Sequence, residues 1–481
     1  MQRSRFLLFI ILAALATVVF LLLDGCAGEG KVKSEGGTLS SFPVIDEAFD
    51  VIKEKGVYPV DKDLLVEGAL RGMADVIGDP YSTYLSKDEA AAHRESLAGE
   101  RIGIGAEITR SNGKYIIVAP VKGSPAEKAG LQPYDEIVRI DGKRLEGDSL
   151  GDVVQRIRGK KGTTVSMTIF RPDLDKHIEL SVVRDSIPVK TVSTEIIEER
   201  GQKIGYISIT MFGNESRQEW LDATNKLIKD GAQSLIIDVR GNPGGYLHTV
   251  GGIVGSLVQK DTVFAYMEDA AGTLEPLATE NSEKFPYDEK LKKMPVVLLQ
   301  DKGSASASEV MSAALKDLKR GYIIGATSFG KGTVQETMEL TNGGEMKLST
   351  HKWLTPKKKW IHGNGVKEDL EVVQNDLFSE HIRLVTETYM EGDYHEDIAY
   401  AQKLLTGLSY SVARTDGFFD ESTTRAVETF LGEAKVAEGS TMDRLFFATL
   451  KDKAEKFRND RKNDDQLKMA IGYIHNKVNE R

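Results

Sequence analysis

One cysteine, Cys26, stands alone in 481 residues. That excludes an intrachain disulfide framework and any cysteine-rich metal site. Aromatic residues are scarce at 7%, and the 63 Lys and Arg against 73 Asp and Glu form no long single-sign block. The formal charge of −10 favours solubility and leaves no basic stripe of the kind nucleic acid requires. None of the eight histidines sits in a recognisable motif. No Glu-Asp pair or His-Glu-His grouping offers glycosidase or zinc chemistry, so neither metal nor cofactor is expected. Long-range repeats and low-complexity blocks are also missing.

What is present begins with an apolar run. Arg3 and Arg5 precede Phe6 to Leu23, which only Thr17 interrupts. The run exceeds a usual signal core and reaches the lower limit for spanning a bilayer. Positive charge before it favours an N-in, C-out orientation. Cys26 follows in Leu23-Asp24-Gly25-Cys26, similar to a bacterial lipoprotein box except at Asp24. A retained anchor, lipidation at Cys26 and simple cleavage all stay open. Each places the body outside the membrane, in a bacterial cell envelope.

A chain this long should hold about three domains. Beyond the anchor at 1–26, residues 27–40 are small and glycine-rich, a tether. Residues 41–97 turn helical, with Val44, Ile45, Phe49 and Ile52 at helical spacing, and stop near Asp79-Pro80-Tyr81-Ser82. Residues 98–186 look like a compact β-rich module, from the strand Tyr115–Val118 through the helix Val153–Arg158 to the alternating Thr164–Phe170. From 187 to 375 strands alternate with helices. Leu235–Val239 and Val296–Leu299 are continuous apolar runs, as buried parallel strands require. That predicts a layered α/β core. A linker at 376–391, a helical module at 392–450 and a charged helical tail at 451–481 complete an α+β multidomain chain. The tail carries a sparse apolar stripe of Leu467, Ile471 and Ile474. With the lead-in helices, that stripe points toward a homodimer.

The chemistry gathers in Gly303-Ser304-Ala305-Ser306-Ala307-Ser308-Glu309 and Phe329-Gly330-Lys331-Gly332-Thr333-Val334-Gln335. A serine on a turn opening a helix suits a nucleophile, because backbone N–H groups and the helix dipole face the reacting oxygen. Ser306 is the candidate, with the N–H of Ala307 as one oxyanion donor. The second falls to Gly244 or Gly245 in Arg240-Gly241-Asn242-Pro243-Gly244-Gly245, where no Cβ blocks substrate. Lys331 is the candidate base. It must lose its proton, which burial between walls such as Phe329 and Val334 would favour. Gln335 can orient the amine through its carbonyl without adding the negative charge that Glu309 or Glu336 would bring.

These motifs, in this order, resemble the carboxyl-terminal processing peptidases, the tail-specific S41 serine proteases, from about residue 41 to 375. The resemblance implies a ClpP/crotonase-like core with an inserted PDZ domain at 98–186. It also implies Ser306 as nucleophile, Lys331 as general base and Gln335 as its positioning partner. Asp317 matches a position that some members use in support, or it merely faces solvent. Ile102-Gly103-Ile104-Gly105 resembles the PDZ carboxylate-binding loop, with Val153 to Ile157 as the apolar wall for the last side chain. The implied substrates are proteins with free, apolar C-terminal tails, and the PDZ domain either delivers them or gates the site. Residues 392–450 resemble a peptidoglycan-binding module through Thr415-Asp416-Gly417-Phe418. A non-catalytic PDZ scaffold and a wall-binding adaptor are the competing readings. Keeping Ser306, Lys331 and Gln335 together argues against the scaffold.

Overall fold

Leu235-Ile236-Ile237 has no polar face to offer solvent, and in the computed structural model it lies inside a sheet buried on both sides. The structure describes residues 43–479, apart from 99, 112–113, 121–123, 133, 146–149, 189, 280–284, 381, 384, 386 and 437–438. The expected anchor, Cys26 and the tether at 27–40 lie outside the described residues. Among the described residues, no helix is long and apolar enough to cross a membrane. Two compact units emerge, one of Ala92–Thr333 with the chain from His351 onward, the other of residues up to Ala91 with Val334–Thr350.

In the larger unit the central sheet runs Val192–Glu199, Gln202–Ile209, Ser234–Asp238, Val296–Gln300, Tyr322–Gly325, Leu370–Glu371. The first pair is antiparallel and every later neighbour is parallel. Parallel neighbours need crossovers. Helices Ser216–Lys229, Leu247–Leu257 and Ala307–Asp317 lie in those connections. All of Ser234–Asp238 and Val296–Gln300 is buried, as expected of a sheet covered on both faces. The predicted layered core is there.

One cover is the chain's own C-terminus. Helix Asp465–Asn479 packs Leu467, Ala470, Ile471 and Ile474 into one core with Ile204, Ile236, Val297, Leu299 and Ile324. Tyr473 stacks on Tyr322 with ring centroids 4.1 Å apart. The stripe expected to serve a dimer is therefore sheet cover. Its spacing announced an amphipathic helix and was silent on the partner. The stretch 376–391 is no linker either, because Leu377, Val385 and Tyr389 are buried with Ile398, Leu404, Phe430 and Phe446. That helical module continues through Arg444–Asn459, past the expected end at 450.

The β-rich module forms an antiparallel sheet ordered Ala106–Ser111, Lys114–Pro120, Glu136–Ile140, Thr164–Arg171, Lys176–Val183. Val153 and Ile157, one turn apart on helix Leu150–Ile157, are 0% and 4% accessible and belong to its core, as does Ile104. They cannot wall a groove. Their i, i+4 spacing puts them on one face, and that face points inward. Ile102 and Gly103 end the strand Glu100–Gly103. Gly105 has φ 72°, and a Cβ there would lie 2.5 Å from that of Ser124, so this turn demands glycine. Ala106–Ser111 is the sheet's edge strand.

The smaller unit holds helices Pro43–Lys55 and Lys62–Asp75 and a strand Thr83–Leu85 paired antiparallel with Glu345–Lys347. Helix Pro43–Lys55 buries none of its residues, and Val44, Leu64 and Val76 are widely exposed.

Candidate active site

Three serines compete for one role, and burial separates them. Ser304 and Ser308 are 0% accessible. Their hydroxyls donate to the carbonyls of Val239 at 2.8 Å and Asn242 at 2.9 Å. Ser306 keeps partial exposure and has φ 53°, ψ −114°, in the region favouring glycine. Holding a side chain there costs about 1–3 kcal/mol and is characteristic of functional sites. Ser306 is also the N-cap of helix Ala307–Asp317, so Ala307 supplies one of the amides left without an intrahelical partner.

A carboxylate ties this serine to the lysine. Glu309 is 0% accessible. Its Oε2 accepts the backbone N–H of Ser306 and of Lys331, both at 2.8 Å. Its Oε1 accepts the Ser328 hydroxyl and the Gly330 N–H, both at 2.6 Å. Four donors saturate the two oxygens. The negative charge thus serves the backbones of both candidates, a role different from orienting the amine. The signal for it was in the sequence, since Ser306-Ala307-Ser308-Glu309 has the spacing of a capping box.

Two indoles hold the lysine segment from the far side. Trp353 Nε1 donates to the Lys331 carbonyl and Trp360 Nε1 to that of Gly332, each at 2.8 Å. The Gly363 N–H donates to the Gly330 carbonyl at 2.9 Å. A Cβ on Gly332 would lie 2.8 Å from that of His362, so the strap closes only over glycine. Lys331 itself is partly buried. Phe329, expected as one of its walls, is 55% exposed, and its N–H donates to the Ser304 carbonyl at 3.0 Å. Of the histidines, His362 takes the Gly332 N–H at 3.4 Å. Burial, with Arg217 nearby, pushes His248 below its ordinary pKa.

The glycine turn meets the serine directly. A Cβ on Gly244 would lie 2.8 Å from the Ser306 Cβ, and its φ is 111°. Its N–H, however, donates to the Asn242 carboxamide oxygen at 2.8 Å. An amide has one proton, so the Gly244 N–H is committed inside the turn; Gly245 follows at φ 141°. Asn242, which composition gave no reason to single out, is 0% accessible and binds three loops. Its Nδ2 donates to the Ile209 carbonyl at 2.8 Å, and its own carbonyl accepts the Ala305 N–H at 3.0 Å.

Gln335 belongs to the smaller unit. There its Nε2 donates to Ser349 Oγ at 3.0 Å, the Ser349 N–H donates to Ser82 Oγ at 3.0 Å, and Ser82 donates to Asp79 at 2.6 Å. Asp317 does not face solvent. It accepts the Thr355 hydroxyl at 2.6 Å and the Lys357 N–H at 3.2 Å. Among the described residues, no cluster of His, Cys, Asp and Glu could hold a metal ion.

The profile of peptidase family S41 matches residues 203–372, a PDZ domain profile matches 116–171, and one for the N-terminal domain of the activating protease CtpB matches 26–89. Carboxy-terminal processing protease CtpB of Bacillus subtilis is 40% identical over 427 residues, covering 89% of this chain and 88% of its own. Carboxy-terminal processing protease CtpA of the same organism is 35% identical and covers 98% of each chain. A solved photosystem II D1 C-terminal processing protease aligns at 26% identity and TM-score 0.42, over 69% of this chain and 92% of its own. With relatives this similar along most of its length, the chain belongs to peptidase family S41, as a PDZ-containing serine-type protease of the carboxy-terminal processing group.

Proposed function

We propose that this protein is an exported endopeptidase that cuts proteins near their C-termini with a Ser306–Lys331 dyad. The observation that carries the reading is Glu309, whose Oε2 accepts the backbone N–H of both residues at 2.8 Å. Neutral Lys331 takes the Ser306 hydroxyl proton as Oγ attacks the scissile carbonyl. Ala307 and Gly245 N–H groups receive the developing oxyanion. The ammonium then gives its proton to the leaving amine, and water hydrolyses the acyl-enzyme by the same relay. At pH 7 an ordinary lysine is neutral in only about four parts in ten thousand. The working enzyme must therefore keep the Lys331 amine neutral.

In this reading the PDZ domain adds a substrate tail along the free edge of Ala106–Ser111. Ile102-Gly103-Ile104-Gly105 offers backbone N–H groups to the terminal carboxylate. Apolar groove contacts fall to Leu150 and Val154, which keep partial exposure. The apolar run at Phe6–Leu23 supports a membrane-tethered body in a bacterial envelope. Exposed Val44, Leu64 and Val76 support a homodimer through the N-terminal helices. Exposed Tyr394 supports a peptidoglycan contact on the C-terminal module, as does Arg414, 4.9 Å above the Phe418 ring.

The test compares the soluble body with Ser306→Ala and Lys331→Ala on an unfolded protein with an apolar tail. Both variants should lose cutting. Full activity in Lys331→Ala would transfer the base to a histidine. Deleting 98–186 tests gating: unchanged turnover of a short peptide removes the gate, and higher turnover indicates inhibition by the PDZ domain.

A further inference from the structure

The last helix does more than cover the sheet. Arg240 opens the turn that ends at Gly244 and Gly245, and its guanidinium has five N–H donors. All five are accounted for. Nε reaches both oxygens of Asp238 at 3.0 Å, and Nη2 reaches Asp238 Oδ2 at 2.5 Å. The rest of the fork goes to the C-terminal segment. Nη2 donates to Asp464 Oδ2 at 2.8 Å, and Nη1 donates to Asp464 Oδ1 at 2.9 Å and Gln466 Oε1 at 3.1 Å. The side chains of Asp238, Arg240 and Asp464 are only 7%, 15% and 8% exposed.

Asp464 is held in turn from its own side. Gln374 Nε2 donates to its Oδ1 at 2.7 Å, and the Leu467 N–H donates to the same oxygen at 2.9 Å. Tyr206 donates its hydroxyl to Asp238 Oδ2 at 2.6 Å. From Arg240 the chain passes to Gly241, whose N–H is held by Asp301 at 2.8 Å, and then to Asn242 and the glycines. Asp301 also takes the Gly303 N–H at 2.9 Å at the foot of the serine loop. The start of the glycine turn is therefore fastened twice, to the serine loop at Gly241 and, at Arg240, to a residue more than two hundred positions away.

We propose that Asp464 is a positioning residue for catalysis: it clamps Arg240 and thereby fixes the glycine turn that presents Gly245 to the reacting carbonyl. The inference rests on the reading of Gly245 as an oxyanion donor. It gives the Asp464 carboxylate a role separate from the sheet cover provided by the helix that follows it. Replacing the carboxylate by a carboxamide removes one of two acceptor oxygens and the charge opposite the guanidinium. The turn then keeps its fold and loses its fixed placement.

The experiment measures kcat, KM and the rate at which a fluorophosphonate captures Ser306, in full chains carrying Asp464→Asn, Asp464→Glu or Ile471→Ala. Asp464→Asn should lower kcat about 10- to 100-fold with little change in KM, because small displacements of positioning groups act on the transition state. Capture should slow in parallel, and Asp464→Glu should restore part of both. Ile471→Ala weakens helix packing without touching the clamp. It should lower the melting temperature and leave kcat unchanged below the transition. Folded Asp464→Asn with wild-type kcat overturns the proposal, as does an equal kcat loss in Ile471→Ala. Should Asp464→Asn not fold, Gln466→Ala, which removes the fifth acceptor together with a bond to the Val372 carbonyl, carries the same test with a smaller drop in kcat. Cutting by Ser306→Ala would instead sink the functional reading and leave the clamp untouched.

Discussion

Glu309→Gln is the most demanding test of how this site is built. Each carboxylate oxygen accepts two donors, Ser328 Oγ and Gly330 N on Oε1, and Ser306 N and Lys331 N on Oε2. A glutamine has almost the same shape, yet whichever way its amide turns, an NH2 faces two donors. Two buried bonds are lost and a donor–donor clash replaces them. At about 1–3 kcal/mol for each buried group left unsatisfied, the local cost is about 2–6 kcal/mol. The loops relieve it by moving apart, and about 1 Å of misplacement between reacting groups is worth about 100-fold in rate. The variant should therefore show kcat reduced about 100-fold, KM nearly constant and slower fluorophosphonate capture of Ser306, with a lowered melting temperature. Glu309→Asp keeps the charge but withdraws it by one methylene, and should fall between the two. Steady-state kinetics with a thermal melt on the same samples decides. A folded Glu309→Gln enzyme with kcat within about threefold of wild type would refute the argument that this carboxylate sets the register of nucleophile and base.

Gly244→Ala should lose at least about tenfold in kcat, because its φ of 111° strains any side chain and the new methyl would lie 2.8 Å from the Ser306 Cβ; wild-type turnover would deny that contact. Ser304→Ala should destabilise the fold by about 1–3 kcal/mol in denaturant titration, since the Asp301 N–H loses its partner and the Val239 carbonyl loses one of two donors. Ser306 should still react with a fluorophosphonate in that variant, and lost labelling in a folded sample would reassign the nucleophile. Burial works to raise the Asp464 carboxyl, but Arg240 and the Leu467 and Gln374 donors outweigh it and hold the group below its ordinary value. A depressed pKa contributes stability that is complete above the unfolded value near 3.9 and is lost as pH falls through the folded one. Denaturant titrations carried into the acid range should show that loss, and Asp464→Asn should flatten it. An unchanged slope in the variant would assign the acid sensitivity to another carboxylate.

Much of this protein could be read in its residues before any coordinate. Leu235–Val239 and Val296–Leu299 are apolar at every position, and only burial on both faces satisfies such runs, so the parallel core followed from composition. The serine motif ahead of a helix and the glycine-flanked lysine marked the two segments that Glu309 ties together, because such turns and close backbone approaches need those residue types locally. Where periodicity had to name a partner, it did not suffice. Val153 and Ile157 looked like a groove wall and are core, because a helical stripe tells which residues share a face and not which way the helix rolls. Leu467, Ile471 and Ile474 looked like a surface for a second chain and instead cover the chain's own sheet.

Local sequence determined what each segment had to be, since turn geometry, alternation and burial demand are properties of a few neighbouring residues. Tertiary structure alone decided which distant groups complete one another. It brought Glu309 to the lysine backbone, Asn242 to the glycine turn and Asp464 to Arg240. The physical reason is that a buried polar atom is tolerated only with a partner, and the partner is chosen by how the layers pack, at whatever sequence distance the fold sets.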